Sequence, residues 1–409
     1  MSRAITVALP PGARFALIAT CLLLGWCVVR DAANQLWSID EPHRAALFWP
    51  AGGAALSAIA QARIIAAGGH VDDRAGALLG TALRRAPRRA EPLILAGLAA
   101  SDRGDLARAE RLMAAARARD PRAAIVRSWR LDHFMRTGEY AAALGEVGPV
   151  LRLRPRSQGP ILAILAALLE TSGGTTALRG ALAREPDWRA TFFTTAAQYG
   201  ADPAALAGLL SLMPPARDVA AARIEQSAVL RALIDRGDYA GAYRMWRGFL
   251  PAAYRGPIAG LYDPRFAGWP GAPPFTWSLQ PGADGVARID APSGDAARPV
   301  LTLGAGGTGA AVLAEQYAIV DPGDYALSVV ARRIGYGRTR LAAGIVCTSD
   351  ASILATLPLE AVAPRFTLYR VAAKVPARCG AIRVQFAAAA GEGRAAASVQ
   401  LAAAQLARR

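Results

Sequence analysis

The order of hydrophobic and polar positions divides the chain into three regimes. Phe15 to Val29 (FALIATCLLLGWCVV) is an uncharged apolar run bounded by Arg14 and Arg30. From about residue 54 to 252, apolar and small residues recur at helical spacing, broken by Gly- and Pro-containing turns. After Pro251 that period stops, and short β-rich segments follow between turns. The pattern predicts a multidomain α + β chain: an N-terminal transmembrane helix, an α-helical solenoid and a C-terminal antiparallel β-sandwich of jelly-roll type. The boundaries fall at 1–35 (cytoplasmic tail and signal-anchor), 36–53 (linker), 54–252 (solenoid), 253–270 (linker) and 271–409 (sandwich).

The first regime sets an expected compartment. Arg3 and Arg14 precede the apolar run, and no acidic residue occurs before Asp31. The positive-inside bias then leaves the amino terminus in the cytoplasm and exports the rest. Fifteen helical residues rise only about 22 Å, short of a hydrocarbon core, but arginines at both ends extend the span by snorkelling. A cleaved signal peptide has the same length. Its small-residue rule is poorly met, because Arg30 and Asp31 stand two positions before Ala32 and Ala33. The expectation is an uncleaved single-pass anchor through residues 15–29 of a bacterial inner membrane, with the bulk of the chain periplasmic. A second uncharged stretch, Ala45–Gln61, carries Pro50, Gly52 and Gly53 and reads as a loop followed by a packing helix.

The second regime is periodic. Pro87, Pro121 and Pro155 fall 34 residues apart, as do Gly104 and Gly138, and Ala75, Ala109 and Ala143. Small side chains let two helix backbones approach, and a glycine permits the sharp turn between them. This spacing resembles the tetratricopeptide repeat. The match is specific at Glu91–Pro121 and good at Ile125–Pro155, and it is partial at Ala54–Pro87, where His70 replaces the turn glycine. Beyond Pro155 it fades into short apolar helices at Ile161–Glu170, Thr176–Arg184 and Pro203–Met213. It returns at Ala220–Leu250 with the turn Arg236-Gly237-Asp238-Tyr239. The resemblance implies a scaffold whose groove holds a protein partner, with Asp102, Asp132, Arg136 and Arg231 as candidate groove residues.

The third regime reads as strands at Phe275–Leu279, Gly285–Ile289, Val300–Leu303, Ala311–Val320, Asp324–Arg332, Thr339–Thr348, Phe366–Val375, Ala381–Ala387 and Ala395–Ala403. Asp321-Pro322-Gly323-Asp324 is a turn between two of them. Cys347 lies on one predicted strand and Cys379 just before another. In an oxidising compartment they form a candidate disulfide between neighbouring strands; the alternative is two spectator thiols. The succession FTWSL, EQYAIVDPGDYALSVVARR, GIVCTS and YRVAAKVPARCGAIRVQF resembles the sandwich that follows tetratricopeptide arrays in bacterial envelope proteins associated with exopolysaccharide production. That sandwich is similar to carbohydrate-binding modules. The resemblance implies contact with polysaccharide through exposed aromatics, for which Trp269, Trp277, Tyr317 and Tyr336 are the candidates. Phe275 and Trp277 alternate with polar residues, a pattern that favours the core for both.

Composition narrows the chemistry. Hydrophobic residues are 53% but aromatics 7%, so the apolar share is largely alanine; three histidines and four cysteines are too few and scattered for a zinc cluster. No histidine accompanies a nucleophile motif, so no catalytic, metal or cofactor residue is expected. Gly304-Ala-Gly306-Gly-Thr-Gly309 matches a dinucleotide fingerprint, yet β-rich sequence follows it, which predicts a glycine-rich hairpin loop and no nucleotide. The net charge of +16 is spread over both halves and so argues for no nucleic-acid partner. The expected protein is a non-enzymatic membrane-anchored periplasmic scaffold for exopolysaccharide assembly or export. The alternatives are a carbohydrate-active enzyme with its site on the sandwich, or a pilus or secretion assembly factor without glycan contact.

Overall fold

Fourteen α-helices precede ten β-strands among the residues described by this computed structural model, 11–38, 40–50, 52–291, 298–391 and 397–409. The first ten residues of the expected tail, and the first two of the predicted Ala395–Ala403 strand, lie outside that set. The chain forms two compact units, one ending at Gln158 and the other spanning Gly159–Arg409.

The first unit contains α1 (Pro11–Trp37), α2 (Pro42–Phe48), α3 (Gly53–Ala66), α4 (Asp73–Arg85), α5 (Glu91–Asp102), α6 (Leu106–Arg119), α7 (Ala124–Thr137) and α8 (Tyr140–Leu153). Within α1, Gly12–Trp37 is long and apolar enough to cross a membrane, and Phe15, Leu22, Leu23 and Val28 are exposed on it. Past Arg30 the same helix enters the fold. Ala33 is buried, Trp37 packs on Phe48 at 5.5 Å, and the Arg30 guanidinium lies 4.1 Å over the Trp49 ring.

Short turns join α3 to α4, α5 to α6 and α7 to α8, and their local chemistry explains the 34-residue period. Gly104 takes a left-handed φ of +78°. Asp105 N–H then donates to Ala100 O at 2.9 Å, and the Asp105 carboxylate caps α6 by accepting from Arg108 N at 3.1 Å. At the position of His70 the turn glycine is displaced, not lost. Gly68 supplies the left-handed residue (φ +66°), Gly69 N–H donates to Ile64 O at 2.8 Å, and Asp72 caps α4. Ala75, Ala82, Ala109, Ala116 and Ala143 are completely buried. A Cβ on Gly97 would stand 3.1 Å from Met113 Cε, so these columns are small because helix meets helix there.

The second unit takes in α9 (Gln158–Ala166) from its second residue onward, then α10 (Ser172–Leu182), α11 (Arg189–Gln198), α12 (Pro203–Ser211), α13 (Val219–Asp235) and α14 (Tyr239–Phe249). Helix α11 is absent from the sequence reading because its centre, TFFTT, is rich in β-formers; burial of Phe192 and Phe193 overrides that preference. Gly200 (φ +82°) and the capping Asp202 join it to α12. The α13–α14 turn repeats the device at Gly237 and Asp238.

The sandwich strands are β1 (Ser278–Leu279), β2 (Gly285–Asp290), β3 (Val300–Ala305), β4 (Ala311–Ala318), β5 (Gly323–Ile334), β6 (Leu341–Cys347), β7 (Ile353–Pro358), β8 (Thr367–Val375), β9 (Ile382–Ala388) and β10 (Ser398–Arg408). They form two five-stranded antiparallel sheets, ordered β1-β4-β9-β6-β7 and β2-β3-β10-β5-β8. Leu301, Leu303, Leu327, Val329, Ile345, Val384, Phe386, Val399 and Leu401 fill the space between them. Strand β7 escapes the sequence reading: it is an edge strand on which Leu357 alone is buried, so its alternation is faint. The glycine-rich segment after β3 is a loop but not a hairpin, which corrects that expectation. Strand β3 pairs with β2 and β10 while β4 belongs to the other sheet, so the segment crosses between sheets. Asp284 holds it there, accepting from Gly306 N at the carbonyl (2.8 Å) and from Gly309 N at the carboxylate (3.1 Å).

Candidate functional site

The loop that leads from the helices into the sandwich is built around Asp263. Its carboxylate accepts N–H bonds from Ala267 (2.8 Å), Gly268 (2.8 Å) and Trp269 (3.1 Å), and its carbonyl accepts from Trp277 Nε1 at 3.1 Å. Asp263 and the fully buried Phe266 both have left-handed backbones, at φ +50° and +56°. Such conformations persist only where surrounding contacts over-determine them. Tyr262 donates its hydroxyl to Pro270 O at 2.7 Å. Burial, with the nearby Asp263 charge and Tyr254, pushes that phenol up to about 12, so it remains a neutral donor.

This scaffolding presents Trp269, which is 42% exposed, with its ring 6.0 Å from that of the partly exposed Tyr254 and 5.2 Å from that of Tyr262. Behind it, Tyr262 packs on Trp246 at 4.9 Å, and Trp246 packs on Phe275 at 5.4 Å. Trp269 is thus the solvent end of an aromatic run anchored in α14.

The outer face of the first sheet carries a polar row. Register places Ser278, Glu315, Gln385, Gly344 and Thr356 side by side on β1, β4, β9, β6 and β7. Alternation turns their neighbours Val384, Phe386, Ala343 and Ile345 inward. Glu315 is buried. Its Oε1 accepts from Arg231 Nη2 and Gln280 Nε2, both at 3.3 Å, and Arg383 Nη1 lies 3.5 Å from Oε2. Tyr317 is half-buried opposite Arg383, and burial together with the Glu315 charge raises its phenol.

The second sheet carries another polar row on its outer face. Asp290 accepts from Thr302 Oγ1 (2.5 Å), Thr302 accepts from Gln400 Nε2 (3.2 Å), and Gln400 Oε1 accepts from Arg332 Nε and Nη2 (3.0 and 2.9 Å). The sequence reading missed this row and the Glu315 cluster. The only signal available was a polar residue at every second position of a strand, which is also the signature of an ordinary solvated face.

The residues singled out by sequence fall in different surroundings. Trp277 is buried at 6% exposure and packs at a tilt on Phe266 and Phe386, so it offers no ring to a ligand. Tyr336 is 90% exposed between Gly335 and Gly337 in the β5–β6 loop. Asp102 ends α5 in solvent, while Asp132 and Arg136 pair with each other at 2.6 Å on the exposed side of α7. Arg231 is not an open groove residue; its guanidinium is committed to Glu315 and Ser278. Cys347 and Cys379 are joined as a disulfide beside the β6–β9 pair, and Cys21 and Cys27 are free thiols in α1.

No protein-family model and no curated protein matches the chain. The C-terminal sandwich resembles carbohydrate-binding modules of solved structure. A family-61 module in complex with β-1,4-galactotriose matches at 12% identity over 37% of this chain and 100% of its own, with a TM-score of 0.28. A xylan-binding domain of family 22 matches at 15% identity over 37% of this chain and 97% of its own, with a TM-score of 0.25. The family-22 and catalytic modules of a Clostridium thermocellum xylanase, complexed with xylohexaose, match at 14% identity over 37% of this chain and 28% of theirs, with a TM-score of 0.25.

Proposed function

We propose that this protein is a non-enzymatic, membrane-anchored scaffold of the bacterial envelope whose sandwich contacts polysaccharide. The observation that carries the reading is Trp269: a half-exposed indole with Tyr254 beside it, held by three backbone N–H bonds to one carboxylate. A rigid aromatic face stacks on a pyranose ring at little entropic cost. Helix α1 supplies the inner-membrane anchor through residues 15–29, with the remainder in the periplasm. The helix pairs of the first unit act as tetratricopeptide-like elements, and their exposed Asp102, Asp132 and Arg136 face a protein partner. The role is assembly or export of an exopolysaccharide.

The test is binding of neutral and acidic polysaccharides to the full chain in lipid nanodiscs. Trp269→Ala should lower affinity at least about fivefold, the loss of roughly 1 kcal/mol of stacking, while the melting temperature holds. Unchanged affinity in that variant, or no binding of any polysaccharide by the parent, refutes the sugar-contact reading. Turnover of a glycan by the parent chain refutes the non-enzymatic one.

A further inference from the structure

The joins between successive helix pairs of the first unit share one edge, and their charge plays no part in the reading above. Each antiparallel pair starts from that edge and returns to it: α4 ends there before α5 begins, α6 before α7, and α8 before the chain passes to α9. The three joins read RRAPRR (84–89), RARDPR (117–122) and RLRPR (152–156), and Asp120 is the one acid in them. Arg119 Nε donates to Pro87 O at 2.6 Å, which ties the second join to the first. At the opposite edge the returning helices start on acids instead, Asp72, Asp105 and Glu139.

Helix electrostatics accounts for part of this separation. Arg84, Arg85, Arg117, Arg119 and Arg152 lie in last helical turns, where a cation offsets the carbonyl ends. Arg88, Arg122 and Arg156 have no such reason, because each directly follows the repeat proline, beyond the end of the preceding α-helix. All three are exposed, and among the described residues their side chains make no hydrogen bond or ion pair. The 34-residue period thus sets one available guanidinium on each join.

Helix α1 leaves the fold at this same edge. Arg30 lies 4.1 Å over the Trp49 ring, a Cβ on Gly52 would stand 3.2 Å from Asn34 Oδ1, and a Cβ on Gly53 would collide with Ala86 of the first join. Ser38, just past the end of α1, lines a cleft with Ser57, Gln61 and Arg89. Followed backwards from Ser38 to Arg30, α1 runs out past the start of α3, and its apolar residues 15–29 continue beyond. A bilayer that holds those residues has its headgroups beside the arginine edge and not beside the acidic one.

We propose that the arginine edge of the first unit docks on anionic phospholipid headgroups of the leaflet from which α1 emerges, with Arg88, Arg122 and Arg156 on lipid phosphates. The proposal rests on the anchor reading of α1 and is independent of sugar contact. Guanidinium groups take phosphate oxygens in pairs, and an anionic surface holds each basic residue about fivefold more tightly than a neutral one. Docking presses the joins to the membrane and turns the opposite edge, with Asp102, toward a partner.

The test places the full chain in nanodiscs of equimolar phosphatidylglycerol and phosphatidylcholine, or of phosphatidylcholine alone, and follows hydrogen–deuterium exchange. Amides of residues 86–90, 120–123 and 154–157 should exchange at least about fivefold more slowly in the anionic nanodisc. The turns at Gly104 and Gly138 should exchange equally in both. About 0.5 M NaCl, which screens charges beyond roughly 4 Å, should remove the difference. So should the combined Arg88→Gln, Arg122→Gln and Arg156→Gln substitutions, with the melting temperature unchanged. Equal exchange of the joins in the two nanodiscs overturns the proposal, as does a difference that survives in the folded triple variant. The salt series decides the matter on the parent chain even if the variant misfolds. Protection of the joins by added alginate, with none from phosphatidylglycerol, assigns the edge to an acidic polysaccharide and overturns the lipid assignment. A chain that does not enter nanodiscs refutes the anchor reading and the docking with it; a chain that enters and shows equal exchange refutes the docking alone.

Discussion

The guanidinium of Arg231, on α13, stands 3.3 Å from the carboxylate of Glu315, on β4, and ties the helices of the second unit to its sandwich. Arg383 approaches the same carboxylate from β9 at 3.5 Å. The carboxylate is buried, while 43% of the Arg231 side chain and 29% of the Arg383 side chain remain exposed. The partners are therefore unequal. Losing the acid removes the common partner of both arginines and of Gln280 at once, whereas losing Arg231 leaves the acid with Arg383 and Gln280.

That asymmetry predicts different costs. Glu315→Ala should destabilise the second unit by about 2–4 kcal/mol, and Arg231→Ala by about 1. Urea unfolding of the two variants checks this, and equal losses would show that the buried side of the pair does not control its energy.

The Cys347–Cys379 disulfide closes a sequence separation of 32 residues. Chain-entropy arguments assign such a closure about 3–4 kcal/mol. Reduction should therefore lower the melting temperature of the sandwich. The Cys347→Ser, Cys379→Ser double variant should show no further change with reductant.

Glu146 should make the first unit sensitive to acid. Burial alone would raise its carboxyl, but hydrogen bonds from Arg127 and Arg130, with the charges of Arg127 and Arg117, outweigh burial and hold it below the usual 4.5. A depressed folded-state value means that the contribution is full above the unfolded value and is lost as pH falls through the folded one. The stability gap between the parent and Glu146→Gln should be greatest near neutrality and shrink below about pH 4.5. A constant gap across pH 3–7 would contradict this origin.

Gly104 isolates backbone strain from packing, because φ is +78° and a Cβ would meet nothing within 4 Å. Gly104→Ala should cost about 1 kcal/mol and Gly104→Asn less, since asparagine tolerates the left-handed region. Equal stability of the glycine and alanine forms by denaturant melts would assign the turn to some other device.

The helix pairs were legible because their determinants are local. Turn glycine, capping aspartate and buried alanine all lie within one hairpin, so their spacing survives in the linear chain. Even the apparent gap at His70 is a shift of the same device to Gly68. The candidate site was legible only in part. Trp269 was visible as an aromatic in a Pro/Gly-rich join, and alternation already favoured the core for Trp277, whose ring faces Phe386; no local pattern showed that the Asp263 carboxylate would hold the Trp269 backbone. Arg231 and Glu315 are 84 residues apart, and no local pattern couples them.

By itself the sequence determined the three regimes: an apolar helix of membrane length, helical hairpins, and strands of period two. Each follows from short-range periodicity and backbone preference. Tertiary structure alone decided which sheet each strand joins, which aromatic reaches solvent, and that Arg231 serves the sandwich. It also decided that Glu225 is buried against Arg189. Those outcomes depend on which distant surfaces exclude water together, a property that resides in the packed fold and not in any segment of it.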